Sequence, residues 1–477
     1  MEEKRSKKKV IISIIVGLIL IAGIGLTIAY FSSKSNSDDK TITTGNLSIA
    51  YENESTFNLS NLTPLYESEI ESEAAKVNFT VTNNGNVNEY IKINLENIYI
   101  NGLTNYDVKW ALYQENEKIT TGTFSNFNDT TINMVVNEKI EVGMSKVYNV
   151  YIWINETETI QNGLMNGTIS GNIEVQGLSK KEKTLSSAIL GENKSNVITD
   201  APTFTKNSTD KGLYVQKGDD TKSNFGFPTY YYRGAVENNY VQMGEYYKDI
   251  YTTINGVKLQ VANANDPILW RIVRINEDGS IKLITDKSIT ENEVYSTLDN
   301  PCFYYSELEY NIDYFTSDLR NNYKDKLQNI TTCHDIRNVT ESGSPSMQRI
   351  SSNNPTFVCP DDDTEEKYLC NKNYYNSFFG TISADEAIFS GALYGGEGST
   401  YLANETETWT TTPSQYYGYN SDTGQDEEII MYTIINNHID FWRYRDKEAT
   451  VRAAINLKSD VLINSGNGTK DSPYIIK

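Results

Sequence analysis

Residues 269–285 read "LWRIVRINEDGSIKLIT", two apolar runs on either side of an Asp-Gly pair. Ile272, Val273 and Ile275 lead into Glu277-Asp278-Gly279, after which Ile281, Leu283 and Thr285 alternate with Ser280, Lys282 and Ile284. A period of two marks a strand with one buried face, and Asp-Gly supplies the positive φ of a tight turn. The stretch reads as a β-hairpin, and strands become the expected framework of the C-terminal half.

Its neighbours extend that frame. Upstream, "PTYYYRGAVENNYV" (228–241) reads as a strand followed by a turn. Tyr230 and Tyr232 would face one side and Tyr231 the other, so only one face of it is a candidate binding platform. Helices are expected in three places. Leu185 to Phe204 should hold a short helix that Pro202 halts. Ser317 to Ile330 sets Leu319, Tyr323, Leu327 and Ile330 on one face, with Ser317 or Thr316 as N-cap. Ser383-Ala-Asp-Glu386 is a capping box ahead of Ala387, Phe389 and Leu393, with Gly395-Gly396 as the stop. Strands resume at "ETWTTTP" and "TVRAAINLKSDVLI".

The N-terminal part is patterned differently. From Gly45 to Gly177, alternating runs such as "KVNFTVTNNGNVNEYIKINL" and "SKVYNVYIWI" are separated by Asn and Gly turns, as expected of a β-sandwich. A basic break, "LSKKEKT" at 178–184, reads as an exposed linker to a second module at 185–477. Ahead of the sandwich, a basic tail (1–9) with Lys4, Arg5, Lys7, Lys8 and Lys9 precedes Val10–Phe31, an uncharged run of 22 residues. At about 1.5 Å per residue it is long enough to be a transmembrane helix. Positive charge stays inside. The expected topology is single-pass, with a cytoplasmic N-terminus, a polar stalk at 32–44 and the bulk outside; cleavage near Ala29 would instead give a secreted protein.

A chain of 477 residues exceeds one ordinary core, so two or three domains are expected. Its formal charge of -21 excludes nucleic acid as the main partner of the folded part, which leaves the N-terminal helix as the membrane contact. Cys302, Cys333, Cys359 and Cys370 suit an exported chain with up to two disulfides. Three pairings are open; Cys359–Cys370 around "PDDDTEEKYL" with Cys302–Cys333 is preferred. The C-x2-C spacing of a zinc site is missing.

Catalytic patterns are sparse. His334 adjoins Cys333, and His438 lies in "NNHIDFWRYRD"; both read as structural or surface residues. "GGEG" at 395–398 lacks the lysine and hydroxyl of a P-loop, and "PDDDTEE" lacks EF-hand spacing. No catalytic residue, metal or cofactor is expected. The aromatics remain, because tyrosine and tryptophan offer sugar rings or peptide side chains an apolar face and a polar tip. Trp409, Trp442, Tyr416 and Tyr444 are the candidate ligand-binding residues.

Two resemblances follow from these motifs. "IAYFSS", "TTGNLSIAY" and "VNFTVTNNGNVNEYIKINL" after "LTPLYESE" resemble the TasA and camelysin family of exported bacterial matrix proteins, over about residues 22–176. The family's Pro-Gly-Asp is replaced by Leu65-Tyr66-Glu67 after Pro64, and a long second region follows. Camelysin has been classed as a metalloprotease; with no H-E-x-x-H here, and no histidine in this part, protease activity is not carried over. The resemblance implies self-assembly through donated strands.

"GLYV", "TYYYRGAVENNYV", "LWRIVRINEDGSIKLI", "FTSDLRNNY", "ISADEAIFSGALYGG", "YLANETETWTTTPSQYY" and "TVRAAINLKSDVLINSGNGTKDSPYII" follow in the order of a domain that recurs in surface proteins of low-GC gut bacteria. That resemblance spans about residues 185–477 and implies an α+β fold similar to C-type lectin-like domains. "QMGEYYKDIYTTINGVKLQVANANDPI" departs from it as an insertion. Together the expectations are a bacterial cell-surface structural and adhesion protein, with a carbohydrate-binding module as the alternative.

Overall fold

A computed structural model of the chain describes residues 42–477 except 45–46, 54–55, 61, 104–107, 125–130, 157–166, 179–180, 206–209, 219–226, 255, 296–305, 331–344, 359–377, 404–405, 418–427 and 444–447. The Val10–Phe31 segment and all four cysteines lie outside the described residues. Among the described residues no helix is long and apolar enough to cross a membrane. The protein is mostly β, as expected.

Residues 42–178 form two sheets around a shared core. The first runs Ile42–Thr44, Leu47–Asn53, Ala75–Asn83, Ser145–Asn155, Val108–Gln114, Glu117–Thr123, with Pro64–Leu65 added beside Ser145–Asn155. The second runs Thr56–Ser60, Thr168–Leu178, Glu89–Asn101, Thr131–Ile140. Val77, Phe79 and Val81 alternate inward from one sheet and meet Ile91, Ile93 and Leu95 from the other, an arrangement consistent with a β-sandwich. Ordered pairing begins earlier than expected: Ile42, Thr43 and Thr44 pair with Ile49, Ser48 and Leu47, inside the segment read as stalk.

One buried polar residue organises an end of this unit. The Asn83 side chain donates to the carbonyls of Val87 (2.9 Å) and Ile140 (3.1 Å) and accepts from Gly85 N–H (2.8 Å). Asn83→Ala would strand those groups, and should lower stability by about 2 kcal/mol in urea unfolding followed by circular dichroism.

The second unit is centred on the opening hairpin. Pro267–Ile275 and Ile281–Thr285 pair antiparallel, Gly279 turns at φ 79, and Asp278 accepts from Ser280 N–H at 2.9 Å. The main sheet order is Leu327–Gln328, Ala454–Leu457, Ile281–Thr285, Pro267–Ile275, Tyr240–Glu245, Tyr474–Ile476, Ile463–Ser465. Thr229–Arg233 pairs with Pro267–Ile275 and carries Gly212–Gln216 on its far side. A smaller sheet runs Leu393–Tyr394, His438–Arg443, Glu428–Ile435, Thr408–Tyr417, and Ile250–Ile254 with Val257–Ala262 forms a separate hairpin inside the insertion.

Three helix expectations are corrected. The long helix spans Glu307–Tyr323 and starts at Ser306, which accepts from Glu309 N–H. Thr316 and Ser317, read as caps, lie inside it and donate to the carbonyls of Ile312 and Tyr314, the back-bonding that competes with capping for these residue types. Leu327 belongs to a short strand opposite Leu457. The first helix, Leu185–Asn193, is capped by Thr184 and ends before Pro202 acts. The third begins at Ser383 as read but stops at Gly391, because Ala384–Ser390 turns there at φ 107 and a Cβ would lie 2.0 Å from the Ser399 carbonyl.

Candidate functional site

Trp409 is a core residue. It has no exposed surface, its indole N–H donates to the Glu293 carbonyl at 2.9 Å, and its ring meets Tyr295 edge-on at 5.6 Å. It therefore presents no face to a ligand, which corrects its reading as a binding residue. Tyr416 lies opposite Ile429 and Trp442 opposite Met431, so the same small sheet carries both positions with Trp409. Tyr444 lies outside the described residues.

The tyrosine run gives no platform either. Tyr231 packs among Tyr214, Phe357 and Phe389, while Tyr232 turns to the other side and accepts from Asn193 at 3.3 Å. Both tyrosines are buried, and burial raises both phenols above their usual range. The sheet is covered on both faces, so alternation separates two cores rather than core from solvent.

Aromatic surface is exposed elsewhere. On the helix Glu307–Tyr323, Leu308, Ile312, Phe315 and Leu319 are buried, whereas Tyr310 is 65% and Tyr314 is 55% exposed. At about 100° per residue the two tyrosines fall on the opposite side of the helix from that stripe. Their rings are nearly parallel (12°) with centroids 6.5 Å apart. Tyr247, just ahead of the insertion's hairpin, meets Tyr314 edge-on at 5.5 Å, and the Lys248 ammonium lies 5.3 Å from the Tyr247 ring centre and 5.9 Å from that of Tyr314. The face thus joins the long helix to the insertion.

Carboxylates flank it. Burial, reinforced by Asp313, pushes Glu309 up to about 7. Burial also raises Glu293, with Glu448, Glu291 and Glu307 adding to the shift and Lys248 opposing it. The face can pack a flat ring against Tyr310 and Tyr314, donate hydrogen bonds to it from phenol and ammonium groups, and accept them at carboxylates. The sequence pattern hides it because Thr316 and Ser317 have the chemistry of N-caps, and a helix starting there leaves both tyrosines ahead of it, whereas the helix spans Glu307–Tyr323. The signal was present in "ELEYNIDYFTSDL": two tyrosines four residues apart, out of phase with the apolar stripe.

The second unit also holds a buried ionic cluster. Lys282 donates to both Glu386 oxygens at 2.7 and 2.8 Å, and Arg274 approaches the same carboxylate at 3.3 Å. Glu386 simultaneously completes the capping box on Ser383 N–H at 2.9 Å. Burial lowers Lys282, while Lys282 and Arg274 together hold Glu386 below its usual range against the opposing effect of burial. The cluster fastens a helix to the sheet and is closed to a substrate. Among the described residues, no three His, Cys, Asp or Glu side chains are grouped to hold a metal. The sequence matches no protein-family model and no curated protein.

Proposed function

We propose that the protein is a bacterial cell-surface structural and adhesion protein, non-catalytic, anchored through Val10–Phe31 with its bulk outside the cell. In this proposal the TasA-like sandwich is a spacer, and the second unit, with a C-type-lectin-like fold, is the recognition domain. The observation that carries it is the Tyr310–Tyr314 pair, set on the solvent side of a helix whose core side is already filled. Large aromatic rings clustered at the surface with most of their area open to solvent mark recognition surfaces.

A carbohydrate-binding module is the second reading, favoured by the near-parallel rings beside Lys248. The full chain in detergent would be applied to a glycan array and to cell-wall polysaccharide beside the double variant Tyr310→Ala, Tyr314→Ala. Loss of about 2 kcal/mol, or roughly 30-fold in affinity, is expected from removing two stacking rings; unchanged binding would contradict the site. Matrix assembly through donated strands has its own test, since it requires filaments from residues 32–177.

A further inference from the structure

Two buried guanidinium groups of the second unit are held by the same two short segments, Thr285-Asp286 and Tyr401-Leu402. Arg271, on the strand Pro267–Ile275, pairs with the Asp286 carboxylate at 3.3 Å, and its guanidinium lies 5.3 Å from the Tyr401 ring centre. Arg452, just ahead of the strand Ala454–Leu457, donates to the Thr285 carbonyl at 2.6 Å and to the Leu402 carbonyl at 3.1 Å. Arg271 is 5% exposed and Arg452 is 2% exposed.

Their partners differ. Besides Asp286, Arg271 donates to the Asn239 side chain at 2.7 Å and to the Val236 carbonyl at 2.6 Å, and it lies 3.9 Å from the Tyr240 ring centre. Arg452 has two carbonyls and, among the described residues, no ion pair. Its Nη2 atom is buried and donates no hydrogen bond, and neither does the buried Tyr401 hydroxyl. The cluster thus holds two cations and one carboxylate. The next carboxylate, Glu386, is already shared by Lys282 and Arg274.

Carbonyls supply dipoles but no counter-charge, and a buried cation without one is strongly unfavourable. Buried polar atoms left unpaired in a fold mark the place of an ordered water or an ion. Here both unpaired groups can donate, one from a guanidinium that has no lone pair to offer. We propose that Arg452 Nη2 and the Tyr401 hydroxyl hold a small inorganic anion, of the size of chloride, beside Arg271. The anion supplies the missing negative charge as well as the missing acceptor, whereas a water supplies only the acceptor. Burial of both side chains closes the site to a sugar or a peptide carboxylate. Burial, opposed by Asp286 and reinforced by Arg271, lowers Arg452 to about 10, so it stays a cation at neutral pH.

The full chain in maltoside micelles would be melted by calorimetry in sodium gluconate, with chloride or bromide replacing gluconate at constant ionic strength. Gluconate is too large for a buried site, and constant ionic strength leaves the screening of surface charge unchanged. Melting of the second unit should rise with halide, by about 3 °C per tenfold above the dissociation constant. Tyr401→Phe removes one donor and keeps the ring against Arg271, so its halide titration should move to concentrations about tenfold higher. Arg452→Met should lose the halide dependence altogether. Equal melting in halide and gluconate would overturn the site and leave both donors to water. A titration unchanged in Tyr401→Phe would overturn it as well, because the ion would then act elsewhere. That variant decides the matter even if Arg452→Met does not fold.

Discussion

Glu386→Ala should destabilise the second unit by about 4 kcal/mol, because removing one partner of a buried pair leaves the other charge without compensation. Two cations are stranded at once: Lys282, which donates to both carboxylate oxygens, and Arg274 at 3.3 Å. The Ser383 capping box is lost as well, exposing the amino end of Ala384–Ser390. In urea unfolding the variant should show a lower midpoint, with Glu386→Gln in between, since glutamine keeps one acceptor. A double-mutant cycle with Lys282→Met should give a coupling well above about 0.5 kcal/mol, the level at which distant sites merely add. Additive costs would mean that Lys282 and Glu386 are neighbours without an energetic link.

Trp409→Ala carries the next largest effect. Deleting a fully buried indole costs about 3–5 kcal/mol in transfer and cavity terms, and here it also removes one of the two hydrogen bonds to the Glu293 carbonyl, which keeps the one from Ala449 N–H at 2.9 Å. Melting should fall by roughly 10 °C, at about 2–4 °C per kcal/mol for a domain of this size. Trp409→Phe keeps most of the volume and should lose less. If Trp409 bound ligand, the phenylalanine variant would weaken binding with little loss of stability; as a core residue it should do the reverse. Calorimetry and binding on the same preparations separate the two.

Much of the fold was legible in the sequence because local chemistry and long-range packing agreed. The Asp278-Gly279 turn, the Ser383–Glu386 box and the Val77, Phe79, Val81 alternation each name a local structure that the tertiary fold keeps. What escaped depends on the second layer. Lys282 looks like an outward residue of an alternating strand, and only the helix laid over that face makes it a buried partner of Glu386. Tyr231 and Tyr232 look like a half-wet pair, yet both sides of their strand are covered.

The candidate site was misplaced for a similar reason. Trp409 is large and aromatic, which fits a core as well as a ligand face, and composition cannot choose between them. Tyr310 and Tyr314 stand out only when the helix register is correct. That register turned on whether Thr316 and Ser317 cap the helix or back-bond within it, and the structure has them donating to Ile312 and Tyr314.

The decisive measurement is binding of the full chain in detergent to glycan arrays and purified cell-wall polysaccharide, run in parallel for wild type, Trp409→Phe and the Tyr310→Ala, Tyr314→Ala double variant. A recognition domain that works through its exposed tyrosine face should bind as wild type and as Trp409→Phe, and lose roughly 30-fold or more in the double variant, whose melting should fall far less than that of Trp409→Ala because Tyr314 gives up only its surface contacts with Tyr247 and Lys248. Binding that survives the double variant at full strength, or a wild-type protein that holds no ligand on either surface, would contradict recognition through Tyr310 and Tyr314.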